Sequence, residues 1–362
     1  MKVVVAIDSF KGCLSSQEAN EAASEGIRKV CPKAKIVEIP VSDGGEGFME
    51  AFYKAIGGKL IEVPVMDPLM RPITAKYLLK GEMAVVEIAQ ASGLTLLTKE
   101  ERNPMVATSY GTGQLVADAV SKGAKQIIVG LGGSATSDAG MGMLRALIDT
   151  FGKDAPQKQD SPIPTLWNKV EALKDVSFMI ASDVKNPLCG ENGAAHIFAP
   201  QKGATLKDVL ALDERAKQFA EASAQHFGYD RSEKEGAGAA GGLGYAFLQY
   251  LDAACKPGIQ LLLETIGFAA LVKDADLVIT GEGSADRQTL MGKLPTGILQ
   301  QSGCVPVCLI AGRISDREQL LQAGFAHVEC INPEGITLEE AMKPETAKRN
   351  ISETIAKIIV NK

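Results

Sequence analysis

The chain is poor in the residues that most hydrolytic and metal chemistry uses. Its 362 residues hold three histidines and one tryptophan, and 5% are aromatic. His196, His226 and His327 all lie outside the glycine-rich segments, and neither His-Glu-x-x-His nor Gly-x-Ser-x-Gly occurs. A hydrolytic triad, which needs a positioned imidazole, is therefore disfavoured. Gly-x-x-x-x-Gly-Lys-[Ser/Thr] is absent, because Gly292-Lys293 is followed by Leu294, and this excludes a P-loop. The seven cysteines form no Cys-x-x-Cys pair and read as reduced thiols packed as small hydrophobes. Cys304 and Cys308 have no histidine beside them and make a poor zinc site. A net charge of −6 lacks the Lys and Arg excess that a nucleic-acid surface requires. No apolar run is long enough to span a bilayer, since the best stretch, Ile259 to Val272, carries Glu264. The apolar start, Val3 to Ile7, is too short for a secretory h-region, so a soluble, cytoplasmic protein is expected.

Glycine is plentiful, at 37 residues. Six Gly- or Asp-rich stretches punctuate the chain, mostly where a strand should hand over to a loop. They are Asp8 to Gly12, Ser42 to Gly47, Gly132 to Asp138, Ser182 to Asn186, Gly236 to Gly244 and Gly281 to Asp286. Glycine lets backbone N–H groups come close to a phosphate, and carboxylates at the mouths of such loops hold Mg²⁺ or take a proton. This punctuation reads as an enzyme that handles phosphates.

Strand and helix signals alternate from the start. Val3 to Ile7 is a strand covered on both faces. Ser15 to Glu18 forms a capping box, and a helix then runs to Val30, stopped by Pro32. Lys35 to Val41 is a second strand, and Phe48 to Ile56 a second helix closed by Gly57-Gly58. From about Leu60 three strand-like runs (60–65, 73–79 and 83–88) follow with no helix between them, which predicts antiparallel pairing. Further on, helices are expected at 108–122, from 139 and at 206–227, and strands at 125–129 and 177–182. A polar stretch, 152–164, reads as a surface loop, and Trp167 as a packing residue. The last third returns to a parallel rhythm, with strands at 276–280, 305–311 and 327–331 and helices at 338–342 and 351–360. The expected architecture is α/β. A doubly wound, Rossmann- or flavodoxin-like parallel-sheet domain (1–62 and 270–362) is built from both chain ends. A second, mixed α/β domain (63–269) is inserted in it, with the active site in the cleft between the two.

Gly130 to Ala135 formally matches Gly-x-Gly-x-x-Ala between a strand and a helix. The acidic residue that a dinucleotide site needs about 20 residues on falls in a helix pattern, at Asp149, so a nicotinamide-dependent dehydrogenase is the weaker enzyme reading. A phosphate cradle at a helix N-terminus survives, with Gly132, Gly133, Ser134, Thr136 and Ser137 as its members. Gly238 and Gly241 lie in a second glycine run that suits either an anion or close packing. Asp8, Asp43, Asp183 and Glu282 stand at expected C-terminal ends of strands, where open α/β sheets bind ligands. Lys11, Lys202, Lys293 and Arg313 put cations beside glycines, which suits a polyphosphate and a small acid. The non-enzyme alternative is a small-acid binding protein.

These segments resemble the bacterial type I glycerate kinases. The matching stretches are Asp8 to Gly12, Pro40 to Gly47, Gly111 to Gln114, Gly132 to Asp138, Ser182 to Leu188, Pro200 to Ala204, Gly236 to Gly244 and Gly281 to Asp286, in the family's order. The chain departs from the pattern at Cys13, where the family usually has Ser, and at Ser137, where it often has Asn. The resemblance implies phosphorylation of D-glycerate by ATP with Mg²⁺, in two α/β domains, and 2-phosphoglycerate as the expected product. On that footing Asp183, then Asp43, is the expected base, with Lys11 also catalytic. Asp8, Ser9, Lys11, Arg313 and Glu282 would bind glycerate. Gly132, Gly133, Ser134, Thr136, Ser137, Lys202, Gly238, Gly241 and Lys293 would bind the nucleotide. Asp43, Asp183 and Asp286 would hold Mg²⁺. The expected partners are small molecules, with no nucleic acid or membrane; a homodimer is left open.

Overall fold

A computed structural model of the chain describes residues 1–41, 47–152, 162–167 and 170–360. The strands, in chain order, are β1 (Lys2–Ile7), β2 (Lys35–Glu38), β3 (Lys59–Met66), β4 (Pro72–Lys80), β5 (Met83–Glu87), β6 (Gln126–Gly130), β7 (Ser177–Ala181), β8 (Ala254–Lys256), β9 (Leu277–Ala285), β10 (Val307–Ile314) and β11 (His327–Cys330). The chain divides into two compact units. One is Met1–Asp43 with Lys54–Ile56 and Ile259–Lys362; the other is Gly44–Tyr53 with Gly57–Gly258.

The first unit holds a five-stranded parallel sheet in the order β11-β10-β9-β1-β2. Counted within the unit, this is the 2-1-3-4-5 order of flavodoxin-like sheets, whose switch point lies between β1 and β9. Val3 to Ile7 are completely buried, as a run of β-branched residues covered on both faces requires. The helix Ser16–Val30 starts with the expected capping box, Ser15 with Glu18. It packs on the final helix, Pro344–Val360, along Gly26, where a β-carbon would stand 2.3 Å from the Ser352 carbonyl oxygen. That last helix begins seven residues before the expected 351.

The second unit holds a six-stranded sheet, β3-β4-β5-β6-β7-β8. Its β3-β4 and β4-β5 pairs are antiparallel, as the helix-free stretch predicts, and the remaining pairs are parallel. Tyr77, Tyr245 and Phe247 are fully buried in its core. Trp167 is a packing residue there, edge-on to Tyr250 with ring centroids 5.3 Å apart. Most of the 152–164 stretch, read as a surface loop, lies outside the described residues.

One expectation needs correction. Gly281 to Ala285 and Gly312-Arg313 are not loops: both lie inside strands, β9 and β10. The two strands stay paired to the end, with Arg313 opposite Ser284 and Ile314 opposite Ala285, so the glycines have ladder partners and no reason to turn. β2, by contrast, ends at Glu38, short of the expected Val41.

Candidate active site

In the first unit the residues of interest gather at the C-terminal ends of β1 and β9. Asp8 leaves β1 with its N–H donating to the Gly281 carbonyl at 2.9 Å, and its carboxylate accepts from the Ser9 N–H at 2.7 Å. Glu282, the last residue of the buried run that opens β9, is buried. Its Oε1 accepts from the Thr289 hydroxyl at 2.6 Å, and its Oε2 lies 3.5 Å from Lys293 Nζ. Desolvation raises the Glu282 pKa above the usual carboxylate range, against the opposing effects of Thr289 and Lys293. The Asp286 carboxylate accepts from the Gln288 N–H at 2.7 Å and caps the turn Arg287–Met291. Lys293 stands at the N-cap position of the helix Leu294–Gln301 with no side-chain capping bond, and Lys11 and Arg313 are exposed. Thr289 was not foreseen, although its place three residues after Asp286, with which it forms a capping box, is a local signal.

In the second unit three parallel strands end in register, with Glu87 opposite Gly130 and Gly130 opposite Ala181. The Gly132–Asp138 loop and the Ser182-Asp183 turn therefore leave the sheet side by side. Within the loop, Thr136 Oγ1 and Ser137 Oγ are buried without a partner among the described residues. The N–H groups of Gly133, Thr136, Ser137 and Asp138 likewise find no acceptor among the described residues. Gly133 is exposed, but Thr136, Ser137 and Asp138 are buried residues, and buried donors left unsatisfied are costly.

The helix that follows, Met141–Phe151, does not offer its N-terminus to a ligand. Asp138 occupies it: Oδ1 accepts from Gly140 N–H at 3.0 Å, and Oδ2 accepts from Gly142 N–H at 3.1 Å and from the N–H and hydroxyl of Ser109, both at 2.8 Å. The expected helix-terminus cradle is thus filled by the chain's own carboxylate, and what remains for an anion is the loop itself.

Lys202 is buried behind this loop, where Nζ donates to Ser134 Oγ and to the Thr136 carbonyl, both at 2.7 Å. Burial pulls its pKa down to about 7, against the opposing pull of Asp138. Gly238 donates its N–H to the Asn186 carbonyl at 2.9 Å. At Gly241, with φ +67°, a β-carbon would fall 1.9 Å from the Thr136 carbonyl oxygen. Both glycines serve close approach of backbones. Asp183 is exposed, and its charge adds to the burial that raises the neighbouring Cys255 thiol to about 11. Asp43 lies outside the described residues. Ser109 and Arg215 also touch this loop or its anchor and were not foreseen. The same holds for Glu87, which accepts from Met49 N–H at 3.2 Å and from Gly47 N–H.

Asp149, where a ribose-binding acid would be sought, sits inside a helix and pairs with Arg145 at 3.0 Å. A flavodoxin-like sheet whose switch point carries charged residues, together with a unit bearing a donor-rich glycine loop, defines an α/β enzyme of the phosphate-handling class. The comparisons narrow this. The model of the glycerate kinase family matches residues 3–361, and the chain belongs to that family. It is an enzyme, a phosphotransferase of the glycerate kinase type. A glycerate kinase of Bacillus subtilis (strain 168) is 42% identical over 359 residues, 95% of this chain and 93% of the relative. A glycerate 2-kinase of Escherichia coli (strain K12) is 39% identical over 377 residues, 98% of each chain. A crystal structure described as a candidate glycerate kinase 2 of Salmonella typhimurium LT2 superposes with a TM-score of 0.83 at 35% identity, covering 100% of this chain and 98% of that one. Among the described residues no helix is long and apolar enough to cross a membrane.

Proposed function

We propose that this protein transfers the γ-phosphoryl group of ATP to a hydroxyl of D-glycerate, and that the acceptor is the 2-hydroxyl, giving 2-phosphoglycerate. Family membership supports the reaction class, and the name of the Escherichia coli relative supports the 2-position. The observation that carries the nucleotide side is the Gly132–Asp138 loop, with its unpartnered amides and the two buried hydroxyls of Thr136 and Ser137.

In an in-line transfer the acceptor oxygen–phosphorus bond forms as the bond to the leaving ADP oxygen breaks, and the protein mainly positions groups and neutralises charge. Gly132, Gly133, Ser134, Thr136 and Ser137 would receive the phosphates. Asp183, beside them at the end of β7, would take the acceptor proton. Asp8, Ser9, Lys11, Glu282 and Arg313 are the proposed glycerate ligands, the cations facing its carboxylate. Among the described residues there is no group of three or more His, Cys, Asp or Glu that could hold a metal. This donor set fits Mg²⁺ carried by the nucleotide, which needs only one or two carboxylates, and Asp183, Asp286 and Asp43 are the candidates. When bound, such an ion would neutralise charge on the phosphate oxygens.

A coupled ADP-release assay with D-glycerate, L-glycerate and other hydroxy acids tests the reaction, and ³¹P NMR of the product tests the position. ADP release that does not depend on D-glycerate would overturn the proposal. The Asp183→Asn variant should fold normally and lose on the order of 10²–10⁴ in kcat; wild-type turnover would remove Asp183 from the mechanism.

A further inference from the structure

The Gly132–Asp138 loop is gripped by two cations that come from the chain segment beyond residue 200. Lys202, in the short turn Pro200–Lys202, holds the Thr136 carbonyl oxygen at 2.7 Å. Arg215, on the helix Leu206–Phe227, donates through Nη2 to the Ser137 carbonyl oxygen at 3.0 Å and through Nη1 to that of Met105 at 3.5 Å. In a planar trans peptide the N–H points opposite to the C=O. Pulling the Thr136 carbonyl toward Lys202 therefore turns the Ser137 N–H away from Lys202. Arg215 does the same for the Asp138 N–H. These are two of the loop amides with no acceptor among the described residues.

We infer that Lys202 and Arg215 are positioning residues for the nucleotide: each fixes one carbonyl, so that two consecutive amides stay aimed at a phosphate that neither side chain touches. For Lys202 the geometry supports this role over that of a direct ligand, because its ammonium is buried and already donates twice inside the protein. Donors oriented in advance bind an anion without the cost of ordering them on arrival. A salt-bridge role for Arg215 is not required, since its hydrogen bonds among the described residues go to two carbonyls.

The inference rests on the loop being the phosphate site, and the test separates the two. Amide hydrogen exchange with and without ADP tests the site: the Ser137 and Asp138 amides should become protected when ADP binds. If ADP binds and these amides exchange as before, the site reading falls and the inference falls with it. Calorimetry on the full-length Arg215→Met variant tests the positioning. ADP binding should weaken about tenfold, the KM for ATP should rise, the KM for glycerate should stay within about twofold, and Arg215→Lys should recover part of the loss. If the amides are protected in the wild type but Arg215→Met binds ADP as the wild type does, the site stands and the positioning role is overturned. An equal rise in both KM values, or no recovery with lysine, would mark a merely structural role and overturn it as well. Lys202→Met, which keeps the bulk and removes the donor, should weaken ADP binding in the same way if it folds; Arg215 decides the matter if it does not.

Discussion

Two glycine-bearing segments follow buried parallel strands, one in each unit, and they end differently. Gly281 to Ala285 continues as strand, while Gly132 to Asp138 turns out of its sheet. The difference lies in the neighbours. β10 runs beside β9 as far as Ala285, so that segment keeps a ladder on one side even though β1 ends opposite Gly281. Around β6 the neighbours stop: β5 ends at Glu87 and β7 at Ala181, level with Gly130. Past that row the loop has, among the described residues, no neighbouring strand beyond a single bridge to Gly93, and the Thr136 and Ser137 carbonyls go instead to Lys202 and Arg215. A glycine run is thus a loop or a strand according to how far the adjacent chains extend.

Substitution should separate the two segments. The largest effect is expected at Gly241, which supports the loop from below. Gly241→Ala places a β-carbon against the Thr136 carbonyl and forces a left-handed conformation on alanine. Stability should fall by about 2–4 kcal/mol, read by denaturant unfolding, and an unchanged midpoint would show that this packing does not hold the loop.

On the strand side, the proposed role of Glu282 as a glycerate ligand predicts that Glu282→Gln costs about 10–100-fold in kcat/KM for glycerate. Stability should move the other way. Burial raises the Glu282 pKa, so just above the ordinary carboxylate range the folded protein holds a proton that the unfolded chain has lost. Its contribution therefore declines as pH rises through that window. The glutamine variant should be at least as stable as the wild type at neutral pH, with a flatter pH dependence in that range.

Lys202 supplies the opposite sign on the loop side. It titrates near 7 in the folded protein and near 10.4 when unfolded. Between those values the unfolded chain holds the extra proton, so this group's contribution to stability rises with pH from about 7 to about 10.4. Thermal melts of the wild type across that range, set against Lys202→Met, should show the rise only in the wild type. The smallest effect is expected at Gly283, where the nearest atom to an added β-carbon is Phe10 Cα at 3.9 Å. Gly283→Ala should change stability by no more than ~0.5 kcal/mol; a larger loss would mean that the strand segment is as tightly held from outside as the loop.

Much of this protein could be read locally. The Ser15–Glu18 box, the helix over Phe48–Ile56 with its terminal glycines and the helix Leu206–Phe227 follow from signals within a few residues, and the structure places them there. The antiparallel start of the second sheet followed from strands with no helix between them. The site was legible as a set of segments but not as a set of contacts. Asp138 looked like one more acidic residue at a glycine loop, yet it fills the helix terminus that a phosphate was expected to use. Ser109 and Arg215 carry no local mark, because their partners are not their neighbours in sequence.

The sequence by itself determined the alternation of strands and helices, the family and the glycine segments, since periodicity, capping and motif spacing act over a few residues. Tertiary structure alone decided which glycine run leaves its sheet and which cation stands behind it. Lys202 reaches Ser134 across 68 residues of chain, and Arg215 reaches Ser137 across 78. Bonds of that span exist only once the sheet has set where each strand stops, and the free amides of the loop are what that arrangement leaves over.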